Sequence, residues 1–134
     1  MANALYGKGK EKLLTAAINL SSDNIRCALV NTSYSPNLST DEFHSTIAAY
    51  ILNSAFLLAS KTVALGVFDA ADVTYTAVTS GSTAKGVVIY KDTAVSGTSP
   101  LLAYIDAITG FPLATNGGDI TIVWDSGSFK IFAL

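Results

Sequence analysis

Residues 73–91 read VTYTAVTSGSTAKGVVIYK, and the two halves of this stretch decide the fold. In the first half Val73, Tyr75 and Ala77 alternate with Thr74, Thr76 and Val78, the period of two that sends successive side chains to opposite faces of a strand. Thr79–Ser80–Gly81–Ser82 supplies turn chemistry. The second half, Ala84 to Lys91, is a strand of another kind, because Val87, Val88, Ile89 and Tyr90 put apolar groups on both faces. Working outward toward the C-terminus, a loop with Gly97 and Pro100 leads to Leu101–Ile105, again apolar on both faces, and Thr109–Gly110–Phe111–Pro112 turns the chain. The alternating strand from Ile120 and the strand Phe129 to Leu134, joined by the turn residues Asp125, Ser126, Gly127 and Ser128, then read as a closing β-hairpin.

Outward in the other direction, Thr62 to Val67 reads as one strand, and Ile25 to Val30 as another that pairs with Ala17 to Leu20 across the turn Ser21–Asn24. Ala4 to Thr15 has the mixture of a short amphipathic helix. Ser39 and Glu42 are spaced as a capping box, which predicts a second short helix from about Thr40 with Phe43, Ile47 and Ile51 on one stripe and its far end turning into strand. Short strands at spacings of roughly 8–12 residues predict a mainly β chain, an antiparallel β-sandwich or barrel-like domain with one or two short helices in the N-terminal half. Residues 1–134 show no linker or repeat and read as a single domain.

Charged residues are only 13 % of the chain against about 25 % in an average domain, so hydroxyls and small side chains must cover much of the surface. A net charge of −2 with scattered lysines gives no footprint for nucleic acid or an anionic membrane. The opening MANALYGKGKEK places its lysines after the first apolar patch, unlike a signal peptide, which implies synthesis in a cytoplasm. Ile47 to Ala59 is the most apolar window but too short to span a bilayer, so it reads as core or contact surface.

Candidate chemistry is sparse. His44 stands without a second histidine or a cysteine cluster, and Cys27 lies inside an apolar run as a buried thiol. Asp69 and Asp72 are close enough to share a turn, yet they supply too few oxygens at regular spacing for calcium and read as turn-capping groups. Asn116–Gly117–Gly118–Asp119 precedes a strand, not a helix, and so reads as a turn with a glycine at positive φ and not as a phosphate cradle. Tyr75, Tyr90, Tyr104, Phe111 and Trp124 could line a sugar site, but their alternating positions read more simply as core. No enzyme, cofactor or metal site is implied.

In the last strand Phe129, Ile131 and Ala133 fall on one face and Lys130, Phe132 and Leu134 on the other, so both faces need a cover. The segments ANALYGKGKEKLL, IRCALVNT, Asp41–Glu42–Phe43, SKTVALGVFDAADVTYTAV, VVIYKD and PLLAYIDAITGFPLATNGGDITIVWDSGSFKIFAL, in this order, resemble a family of small virion proteins of tailed bacteriophages. FDAADVT and TNGGDITIVWD carry most of that resemblance. It implies a non-enzymatic structural protein of the virion, a decoration or cement subunit on the outside of the head that bridges capsomers. Its partners would be the major capsid protein and neighbouring copies of itself, as a dimer or trimer, with no nucleic acid and no membrane. AAYILNSAFLLA stands where the family often carries a polar helix and an Arg-containing strand. Contact surfaces are expected at Phe132 and Leu134, and at Ile47, Tyr50, Ile51, Phe56 and Leu58. A tail or tail-tip adaptor, and a lectin-like sugar-binding module, are the alternatives.

Overall fold

A computed structural model describes residues 3–128 and 130–134. In chain order it comprises β1 (Ala4–Leu5), α1 (Gly7–Leu14), β2 (Ile25–Asn31), β3 (Ile51–Leu57), β4 (Thr62–Ala64), β5 (Val67–Asp69), β6 (Val73–Tyr75), β7 (Thr83–Lys91), β8 (Leu101–Ile105), β9 (Leu113–Ala114), β10 (Ile120–Ile122) and β11 (Phe132–Ala133). Every pairing among these strands is antiparallel. The fold is therefore mainly β, with one short α-helix near the N-terminus.

The central sheet runs β1-β8-β7-β2-β3, with β9 adding to the end of β7. Its middle strands are apolar on both faces because both faces are buried. Ile25, Cys27 and Leu29 of β2 and Val87 and Ile89 of β7 point into one core, while Ala28, Val30, Val88 and Tyr90 point into another. In β8 the register slips where Ile89 faces Ala103 but Tyr90 faces Leu101, so Leu102 is an extra residue and joins its neighbour Ala103 in the first core.

The first core is closed by two small sheets, β10-β6 and β11-β5-β4, which contribute Phe68, Val73, Tyr75, Ile120 and Ile122, and by Ile131 just before β11. The second is covered by Tyr6 and by the segment 32–50, which brings Tyr34 and Ile47 onto the sheet. Tyr6 Oη lies 2.6 Å from Tyr34 Oη, and Tyr34 donates to Asp41 Oδ2 at 2.8 Å, so the phenols that close this face are hydrogen-bonded. Helix α1 shields the β8 edge beyond β1: Gly9 is buried, and a Cβ there would meet Leu101 O at 2.6 Å and Leu102 Cα at 2.9 Å.

Four expectations fail, two because a tertiary partner outcompetes a local signal and two because a local turn does. The closing hairpin does not form: β10 pairs with β6 and β11 with β5, and Asp125 Oδ1 instead caps Gly127 N–H at 3.1 Å. From Val73↔Ile122 to Phe68↔Phe132 one partner advances five residues and the other ten, so the two pairings belong to separate sheets. Phe129, expected in the core, lies outside the described residues.

The helix from Thr40 is replaced by extended chain and two 3-10 turns, His44–Thr46 and Ala48–Tyr50. There Glu42 O accepts from Leu101 N–H and Phe43 bridges to Pro100, bonds incompatible with a helix. Ala17–Leu20 is a loop, in which Asn19 Oδ1 accepts from Ser21 and Ser22 N–H while Asp23 Oδ2 accepts from Asn19 N–H. Thr62–Val67 is broken by a two-residue turn, Leu65–Gly66, into β4 and the start of β5.

Candidate functional site

Two clefts and one apolar ridge stand out on the surface of the described residues. The larger cleft, about 610 Å³, lies between the β1–β8 edge and the C-terminal segment, with Leu5, Ile108, Trp124, Asp125, Lys130 and Phe132 in its wall. Trp124 is buried and fixed: its backbone N–H donates to Asp72 Oδ1 at 3.0 Å and its indole N–H to Ala71 O at 3.0 Å. Asp72 thus caps a backbone group as expected, but one 52 residues away, and it clamps β6 to the chain leaving β10.

The smaller cleft, about 210 Å³, gathers His44, Tyr90, Asp92, Ser96 and Ser99. His44 Nδ1 is 2.7 Å from Ser96 Oγ, and the imidazole rests on the Tyr90 ring with centroids 4.8 Å apart. Burial holds this imidazole below its ordinary pKa against the pull of Asp92. A serine, a histidine and an aspartate here do not make a nucleophilic relay, which needs the carboxylate to orient the base. Asp92 Oδ1 accepts from Ala94 N–H at 2.8 Å and Oδ2 from Arg26 Nε at 2.6 Å. Among the described residues no group of three or more His, Cys, Asp or Glu is placed to hold a metal ion.

The ridge is built by β4, its turn and the last residue. Val63 is 49 % exposed, Leu65 fully exposed and Leu134 73 % exposed. Leu134 N–H donates to Gly66 O at 2.9 Å, which holds Leu134 beside the Leu65–Gly66 turn. Leu65 has φ of +51° and Gly66 of +77°, the left-handed pair of a type I′ hairpin. Glycine or asparagine normally fills such positions; leucine there pays a steric penalty of about 1 kcal/mol.

Of the expected contact residues, Ile47 and Leu58 are corrected: both are buried in the chain's own cores. Phe132, expected to face away from the core, is half-buried and packs on Phe68 with ring centroids 5.4 Å apart. Tyr50 and Ile51 are half-buried against the second core, and Phe56 is at the margin of exposure with its ring edge-on to Tyr75. Leu134 is exposed. Val63 and Leu65 went unmarked in the sequence, where a leucine in a turn looks like any strand leucine. The aromatics read as core are so placed: Tyr75, Tyr90, Tyr104 and Trp124 are buried and Phe111 packs against the core. Cys27 is fully buried, its thiol pushed up to about 12 by desolvation. Asn116–Asp119 is a turn with Gly117 at φ +85°. No family model matches the chain, and no curated protein matches it.

Proposed function

We propose that this chain is a non-enzymatic structural subunit of a tailed-phage virion, a decoration protein that binds the outside of the head and bridges neighbouring capsomers. The observation that carries the reading beyond resemblance is Leu65. It is the most exposed large apolar side chain among the described residues, and it sits in a backbone conformation that disfavours leucine. A partner surface that covered Leu65 would offset both the exposure and the strain. With Val63 and Leu134 it forms a compact apolar ridge, the kind of surface that anchors one subunit on another. Many copies on a fixed lattice need only a modest contact each.

The buried, hydrogen-bonded indole of Trp124 weighs against a sugar-stacking platform and so against the lectin reading. The test is co-sedimentation of the purified chain with empty, expanded phage heads. The chain should pellet with heads, and Leu65→Asn should weaken that binding at least tenfold. Binding to tails, or to a glycan array and not to heads, would overturn the assignment.

A further inference from the structure

Among the described residues, the outer strands of the central sheet and β11 are each defended. β1 is two residues long and gives way to α1, which packs its buried Gly9 on β8. β3 is bulged at Asn53, whose φ is +62°, and the Asn53 amide donates to Thr76 O at 2.9 Å. β9 and β11 are two residues each. Short, bulged or covered edges are how sheets avoid unplanned pairing.

β4 has none of these protections. It is the outer strand of its sheet, all three of its residues are exposed, and it contains no charge, proline or bulge. Lys61, which precedes it, is turned inward, its ammonium donating to Asp23 O, and Asp69 opposite Thr62 lies on the paired side.

We infer that the free edge of β4 pairs antiparallel with the same edge of a second copy, about a two-fold axis at Val63. The hairpin geometry fixes which groups are free. In a two-residue type I′ hairpin the residues flanking the turn, here Ala64 and Val67, exchange hydrogen bonds. Backbone groups alternate in direction, so Thr62 also faces β5 and the N–H and C=O of Val63 face outward. A donor and an acceptor on one residue are self-complementary across a two-fold axis: each Val63 N–H meets the other copy's Val63 C=O. In that register Lys61 lies opposite Leu65 of the second copy and not opposite its own counterpart, so no like charges meet. The result is one continuous sheet of β11-β5-β4 from each copy. A shell protein would need a matching free edge of its own, whereas a second copy supplies it by symmetry.

The contact is smaller than a standard interface of about 800 Å² per partner, so the experiment must trap a weak dimer. Val63→Cys places two thiols across a hydrogen-bonded pair with Cα atoms about 5.5 Å apart, within disulfide reach. The buried Cys27 does not compete. Under mild oxidation Val63→Cys should form a disulfide dimer at least tenfold faster than Leu14→Cys, an exposed site at the end of α1. In the unaltered chain, amide hydrogen exchange at Val63 should slow with rising protein concentration while exchange at Thr62 does not change. Cross-linking no faster than Leu14→Cys, or Val63 exchange independent of concentration, overturns the pairing. If Val63→Cys stays monomeric yet loses head binding, the edge belongs to the shell protein; the self-pairing then fails while the virion reading survives.

Discussion

At Gly9 two effects of opposite sign meet. Alanine is the better helix former by about 1 kcal/mol, yet its Cβ would lie 2.6 Å from Leu101 O, which is backbone and cannot rotate away. Overpacking of this kind costs roughly 1–3 kcal/mol, so Gly9→Ala should destabilise the protein on balance, read as a lower urea midpoint with unchanged slope. Asp72→Ala should cost about 1–3 kcal/mol, because it leaves Trp124 N–H without its acceptor, and the emission of that single tryptophan should shift red as the clamp loosens. Asp92 supplies a pH test. The Ala94 N–H first, then the Arg26 guanidinium, hold its carboxyl below the usual range. Since its pKa is lower folded than unfolded, its stabilisation is complete above the unfolded value of about 3.9 and is lost as pH falls through the folded value. The stability gap between the protein and Asp92→Asn should therefore be about 1 kcal/mol near neutrality and close below pH 4.

Among the elements, the β4–β5 hairpin carries the clearest trade between stability and contact. Leu65→Asn relieves a left-handed leucine and improves a type I′ turn, so it should raise monomer stability by a few tenths to 1 kcal/mol while weakening assembly. Thermal denaturation and head binding moving in opposite directions would be its signature. The same hairpin shows what sequence could and could not disclose. Strands β2, β7 and β8 are legible because Val, Ile, Leu and Tyr crowd them, and their two-faced apolarity already indicates cover on both sides. Who provides the cover is not legible: Tyr6, Tyr34 and Asp41 close the second face through a network of partners 7 and 28 residues apart. The capping box at Ser39 and Glu42 is a genuine local signal overridden by the Leu101 bond, and Leu65 gives no turn signal at all. Ile47 and Leu58 illustrate the same limit for the contact surface, since apolarity cannot distinguish a core residue from an interface residue until burial is known.

For the molecule as a whole, two cores share one central sheet, so neither can be lost while the other persists. Unfolding followed by Trp124 fluorescence, which reports the first core, and by near-ultraviolet signals of the tyrosines on the second should give coincident transitions. The connectivity of that sheet also has a consequence in time. β1 waits for β8, with Ala4 against Tyr104, and β5 waits for β11, with Phe68 against Phe132. Chains dominated by such distant pairings fold in milliseconds to seconds, whereas a tight hairpin closes in about 1–10 μs. The β4–β5 hairpin is the one tight turn between paired strands among the described residues, so on a growing chain its transient form precedes the rest of the structure. If β4 pairs between copies as inferred above, crowded nascent chains would meet through it before any of them is complete, and slowing synthesis or lowering temperature should change how much of the product emerges as orderly subunits and how much as tangled precursor.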